Sequence, residues 1–202
     1  MADTVSPTGR FAPLDHALGR RINVRGGGGK TTLARALARK HSLPFIELDA
    51  INWLPGWRER EGDDFRDKTQ EAIDAAMDGP DNGWIVDGNY TGNLGDLVLR
   101  QADTVVWLDL PWRVMFWRVL RRSVMRAIDG EMVCGENRES WRNMLSRHSL
   151  WWYYVTHRQR IITRGYRLMP MVPDHVPIIR IASARQLDEF YRLHGLSRSG
   201  TS

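Results

Sequence analysis

Four consecutive glycines, Gly26, Gly27, Gly28 and Gly29, separate a short, mostly apolar run from a segment of strong helix formers. No regular element tolerates such a run, since a glycine inside a helix or strand costs about 0.5–1 kcal/mol relative to alanine. Residues 21–24 therefore read as a strand that gives out at the glycines. Residues 31–40 (TTLARALARK) read as a helix that starts just beyond them, with Leu33, Ala36 and Leu37 on one face. Any fold for this chain must accommodate a strand, a glycine turn and a helix at this point.

The rest of the chain repeats that alternation. Residues 43–48 predict a second strand leading to Asp49, 84–86 a third ending in Asp87-Gly88, 104–110 a fourth closed by Pro111, and 177–182 a fifth. Helical periodicity covers 64–77, 111–128, an aromatic stretch through Tyr154, and 184–193. Short apolar strands alternating with helices predict an α/β fold, with a parallel sheet of about five strands and helices on both faces. Residues 1–19 read as a loose lead-in, 20–195 as one domain and 196–202 as a tail.

Composition narrows the class. A chain of 202 residues, 42% hydrophobic and 26% charged, has the makeup of a globular protein rather than a disordered one. No apolar run approaches the roughly 18–20 residues of a membrane span, and the best candidate, 104–110, carries Asp109. The N-terminus has Asp3 and Pro7 but no apolar core, so no secretory signal is expected. A lone cysteine, Cys134, allows no internal disulfide and suits a reducing cytoplasm. The six histidines show no metal-ligand spacing.

A strand, a glycine run, Lys-Thr-Thr and a helix form the arrangement of a phosphate-binding loop. Glycines let backbone N–H groups turn inward around phosphate oxygens, and the helix N-terminus adds partial positive charge. Lys30 is placed to reach the β- and γ-phosphates, Thr31 to ligate Mg²⁺ through its hydroxyl, and Thr32 to assist at the α-phosphate. The spacing departs from the usual G-x-x-x-x-G-K-[ST]. Counting back from Gly29 puts Val24 at the first glycine; with Gly26 as the first glycine the loop is two residues short.

The strings RINVRGGGGKTTLARALA, LPFIELDAINWLPGW, WIVDGNYTGNL and ADTVVWLDLPWRVMFWRVLRR, with GENRESWRNML and IIRIASARQLDEF further on, together resemble a known family. The chain is similar to the small P-loop kinases related to adenylate kinase, closest to the topology-modulation-protein-like group, over about residues 20–193. The resemblance implies a P-loop NTPase three-layer fold with ATP and Mg²⁺ on the glycine loop. It also implies an acceptor-side insertion at about 52–80 and a helical, Arg-rich lid at about 113–160. Within the lid, Arg118 and Arg122 lie four apart on one helix face and can reach the same triphosphate. Arg121, Arg126 and Arg138 are further candidates. Phosphoryl transfer needs such cations because its transition state spreads negative charge over the equatorial oxygens.

Asp49 and Asp87 stand at the expected carboxyl ends of strands, where open α/β sheets bind ligands. Asp49 suits the acceptor hydroxyl and Asp87 the metal's water shell, although either could cap a following turn. Asp109 reads as the structural start of the lid. The resemblance departs from adenylate kinase proper after the third strand, where Asn89-Tyr90-Thr91 replaces a Phe-Pro-Arg that helps hold AMP. Trp53 and Trp57 could stack a base or sugar, or simply pack.

The chain carries net charge +5, with 26 Arg and 3 Lys. Residues 113–167 hold 12 Arg against 4 acids, net +8. Two functions fit. The first is an ATP-dependent kinase of adenylate-kinase-like type, acting on a nucleotide or another small metabolite, as a cytoplasmic monomer or homodimer. The second is a nucleotide-binding protein with little transfer activity that holds DNA or RNA through its arginines and through aromatics such as Trp151, Trp152, Tyr153 and Tyr154.

Overall fold

The computed structural model describes residues 10–129 apart from Trp57, and residues 132–133, 137–138, 152 and 155–198. Trp57, Cys134, Trp151, Tyr153 and Tyr154 lie outside the described residues, as do the side chains of Arg126 and Arg138. Six strands form one parallel sheet: β1 (Phe11–Ala12), β2 (Arg21–Gly26), β3 (Phe45–Glu47), β6 (Trp84–Asp87), β7 (Thr104–Leu108) and β10 (Ile178–Ile181). Their order is β1-β10-β7-β2-β6-β3, which puts β2 between β6 and β7. Two small antiparallel pairs stand apart from it: β4 (Trp53–Leu54) with β5 (Arg58–Glu59), and β8 (Met132–Val133) with β9 (Asn137–Arg138). The helices are α1 (Lys30–His41), α2 (Leu48–Asn52), α3 (Gly62–Asp78), α4 (Thr91–Leu94), α5 (Trp112–Asp129), α6 (Arg158–Arg164) and α7 (Ala184–Leu193).

The pleat sorts the strands' side chains onto two faces. Ile22, Val24, Ile85, Val106, Leu108, Ile179 and Ile181 share a buried cluster with Leu33 and Leu37 of α1 and Leu187 and Phe190 of α7. Trp84 and Val86 pack with Phe65, Ile73 and Ala76 of α3 and with Leu94, Leu97 and Val98. Val105, Trp107 and Ile178 pack with Leu99, Val172 and Val176. The result is a six-strand parallel sheet flanked by helices in a three-layer arrangement. Burying each large core side chain stabilises it by about 1.5–3 kcal/mol relative to exposure.

The sixth strand differs from the expected lead-in. Phe11 and Ala12 pair with Ile178 and Ile179 at the sheet edge. Two residues carry no period, so only the tertiary partners reveal the strand. Phe11 packs at 6.1 Å on the Trp107 ring, and Arg180 lies over both.

The helix ends follow capping chemistry. Ser183 accepts from the Gln186 N–H at 3.1 Å, and the Gln186 side chain accepts from the Ala182 N–H at 2.7 Å. This reciprocal cap fixes where α7 begins. α1 ends at Ser42 in the left-handed region, with Arg39, Lys40 and His41 in its last turn facing the negative end of the helix dipole. Among the described residues no helix is long and apolar enough to cross a membrane.

Candidate functional site

The carboxyl ends of β2, β6 and β7 meet, with Val24 paired to Asp87 and Gly26 to Leu108. Val24 stays inside the ladder and is fully buried, so the chain leaves the sheet at Gly26 and the turn is the short version of the loop. Gly26 has φ +104°, and a Cβ there would fall on the Leu108 carbonyl oxygen. Only glycine fits such a position. Gly29, at φ +136°, is the N-cap of α1, and a Cβ there would approach Arg118 Nη1 to 3.1 Å. The missing side chains let the loop backbone approach β7 and the α5 side chain of Arg118 closely.

The N-terminus of α1 has no side-chain cap and no acidic residue in its first turn. Without a cap, its first N–H groups and its dipole are of the kind that can receive an anion at the strand-to-helix junction. Lys30, the first residue of α1, places Nζ 2.6 Å from Asp87 Oδ1. Asp87 is 0% exposed, and both of its carboxylate oxygens lack a hydrogen bond among the described residues. The Lys30 ammonium compensates charge at one carboxylate oxygen, which leaves the group with capacity for another donor or a cation. That donor set fits Mg²⁺, which takes one or two protein ligands and fills its shell with phosphate oxygens and water. Thr31 and Asp87 are the residues that would hold it. No cluster of three or more His, Cys, Asp or Glu suited to a metal occurs among the described residues.

Asn89 is a member of this site that the sequence reading passed over. Its Oδ1 accepts from the Gly26 N–H at 2.9 Å and its Nδ2 donates to the Gly26 carbonyl at 2.8 Å. One amide therefore fixes both polar groups of the first loop residue. The only sequence signal was its place two residues after Asp87. From α5, Arg118 Nη1 donates to the Gly28 carbonyl, so one of the expected lid arginines already touches the loop. Arg122 and Arg121, one turn along, are exposed. Asp109 accepts from Arg180 Nε at 2.8 Å and Nη2 at 2.6 Å, a link between the ends of β7 and β10.

Asp49 lies elsewhere than expected. β3 ends at Glu47, and Asp49 sits in the first turn of α2, beyond the strand. Its Oδ1 accepts from the Tyr90 hydroxyl at 2.7 Å. Burial first, then the Asp49 charge, pushes the Tyr90 phenol well above its usual pKa and keeps it a neutral donor. Asn52 and Trp53 lie close enough to that hydroxyl to oppose the shift weakly. Asn52 is 0% exposed, and neither its Nδ2 nor its Oδ1 has a hydrogen-bond partner among the described residues. Leaving such an amide unpaired costs about 1–3 kcal/mol. Neither protein-family models nor curated proteins give a match to this chain.

Proposed function

We propose that the protein is an ATP-dependent phosphotransferase of adenylate-kinase-like type, moving the γ-phosphoryl group of ATP to a small acceptor in the cytoplasm. The observation that carries this reading is the junction of β2 and α1. There an uncapped helix N-terminus, a glycine turn and Lys30 converge beside the buried carboxylate of Asp87. The triphosphate sits on Gly26, Gly27, Gly28 and Gly29 and the first turn of α1. Lys30 turns from Asp87 to the β- and γ-phosphates. Thr31 and Asp87 would hold Mg²⁺, which would supply charge neutralisation for the triphosphate. Arg118 exchanges the Gly28 carbonyl for a phosphate oxygen, and Arg122 follows as the lid closes over the site and excludes water. The loop at 182–185 lies by the adenine. Asp49 orients the acceptor hydroxyl and takes its proton.

The test is ADP release in the presence of candidate acceptors, with Asp49→Asn and Lys30→Ala as comparison proteins whose folding is checked by circular dichroism. Transfer lost in both folded variants supports the reading, and undiminished transfer in both rejects it.

One observation favours the nucleic-acid alternative. Arg113, Trp117 and Arg121 fall at helical spacing of four along α5 and are all exposed, Trp117 at 66%. An Arg–Trp–Arg stripe can track a backbone and stack a base. In that case affinity for single-stranded DNA falls steeply with salt and drops further in Trp117→Ala.

A further inference from the structure

We infer that the acceptor is a neutral, polyhydroxylated molecule, a sugar or polyol, rather than a nucleoside monophosphate or another phosphorylated acceptor. This rests on the phosphotransferase reading and specifies its acceptor side.

Charge is the first argument. A phosphate monoester carries about −1.5 to −2 charges at neutral pH and is normally received by arginines and lysines. Residues 52–80, the acceptor-side insertion in that reading, hold four basic and eight acidic side chains, net −4. Three of the four cations are already engaged. Arg60 donates to the Ile51 carbonyl at 2.9 Å and pairs with Asp64 at 2.6 Å. Arg66 donates to the Leu94 carbonyl at 3.1 Å, and Lys68 pairs with Glu71 at 2.7 Å. The fourth, Arg58, is exposed on the β4–β5 hairpin. An anionic acceptor would enter a field of its own sign.

Hydrogen bonding on this side also suits a neutral hydroxyl. Asp49 takes a neutral hydroxyl, that of Tyr90, in the resting structure. The phenol occupies the kind of position an alcohol takes when it presents its proton to this carboxylate. One turn along α2, the fully buried Asn52 amide makes no hydrogen bond of normal geometry, although it lies near enough to the Tyr90 hydroxyl to act on it. A group that both donates and accepts, as each hydroxyl of a polyol does, satisfies both atoms. Tyr90, only partly buried, shifts as the acceptor enters and opens the way to Asn52. In the transfer, the acceptor oxygen forms a bond to the γ-phosphorus while the bond from that phosphorus to the β–γ bridging oxygen breaks. The hydroxyl proton passes to Asp49, and ADP leaves with the bridging oxygen.

The experiment follows transfer from [γ-³²P]ATP to two panels. One holds neutral hydroxyl compounds (hexoses, pentoses, inositol, glycerol, nucleosides) and the other AMP, CMP, UMP and dTMP. ATP binding is measured in parallel by calorimetry. The expected result is product only in the neutral panel, with KM for that acceptor raised about tenfold or more in Asn52→Leu, the size of one or two lost hydrogen bonds. Asn52→Leu should also keep or raise the melting temperature, because it replaces an unpaired buried amide by an apolar group of similar size. A merely structural, satisfied Asn52 would lower the melting temperature and leave KM unmoved, which overturns its assignment. A monophosphate accepted more efficiently than every neutral compound overturns the acceptor class but keeps the phosphotransferase reading. ATP binding without transfer to any neutral compound also overturns the acceptor class. Absence of both ATP binding and transfer overturns the parent reading itself.

Discussion

Replacing Lys30 by methionine isolates the energetic centre of the site. Asp87 is completely buried and the Lys30 side chain is 12% exposed, with 2.6 Å between Nζ and Oδ1. At an effective dielectric of about 20 and a charge separation near 4 Å, their attraction is about 4 kcal/mol. Removing Lys30 while Asp87 stays leaves a buried carboxylate with neither a counter-charge nor a hydrogen bond, at a cost of about 3–5 kcal/mol. Set against a total stability of about 5–15 kcal/mol, that is a large fraction. Asp87→Asn costs less, about 1–3 kcal/mol, since Lys30 can reach solvent. The double variant Lys30→Met/Asp87→Asn buries no charge and recovers at least half of the Lys30→Met loss. Urea unfolding followed by the fluorescence of the nine tryptophans gives all four midpoints on one scale. A Lys30→Met variant within about 0.5 kcal/mol of the parent, or additive single and double variants, refutes the reasoning.

Asn89→Ala removes both hydrogen bonds to Gly26 and should lower stability by about 1–3 kcal/mol, read as a melting-temperature drop of about 2–4 °C per kcal/mol. Gly26→Ala should be among the most damaging single changes. A left-handed φ costs about 1–2 kcal/mol and the Leu108 carbonyl blocks the Cβ, whereas Gly62→Ala, with open space and no positive φ, should be neutral or stabilising. Burial, then the nearby His194, Lys40 and Arg20, hold His41 below its ordinary pKa of 6.5, so the unfolded chain binds its proton more readily. Its contribution to stability is therefore complete above pH 6.5 and is lost as pH falls below that value toward the folded pKa, a slope that His41→Gln should flatten in pH-dependent thermal melts.

The features legible in the sequence are those written locally. The glycine run and the helix formers after it placed β2, the turn and α1, and helical periodicity placed α7 at 184–193. Lys30 and Asp87 could each be picked from position alone. Their contact is a product of the β2–β6 register, which no local signal contains. Asn89 reaches Gly26 across 63 positions and Tyr90 reaches Asp49 across 41, so both roles were invisible until the sheet order was known. β1 is the same case at the level of an element: two residues become a strand because β10 offers an open edge. The shift of Asp49 into α2 reflects the opposite limit. LeuAspAlaIleAsn can continue a strand or start a helical turn, and burial of Leu48 and Asn52 on one side of that turn decides it.

The pairings at rest also bear on how such a site works. Lys30 is engaged with Asp87, Arg118 with the Gly28 carbonyl, and Asn89 with Gly26. The first two are exchangeable side-chain ties, each able to trade its present partner for a phosphate oxygen. The third is a tie to the backbone, and nothing in the proposed reaction asks it to break. Binding energy gained by Lys30 and Arg118 is therefore reduced by what they give up, whereas the uncapped N-terminus of α1 gives up nothing. In the proposed reaction the backbone would supply the ready part of a phosphate seat, and the side chains the part that responds to occupancy. In a phosphotransferase this division has a chemical use. In the proposed reaction Lys30 and Arg118 would come into position only when an anion draws them over, so that their charges assemble around the transferring group rather than standing exposed to water beforehand.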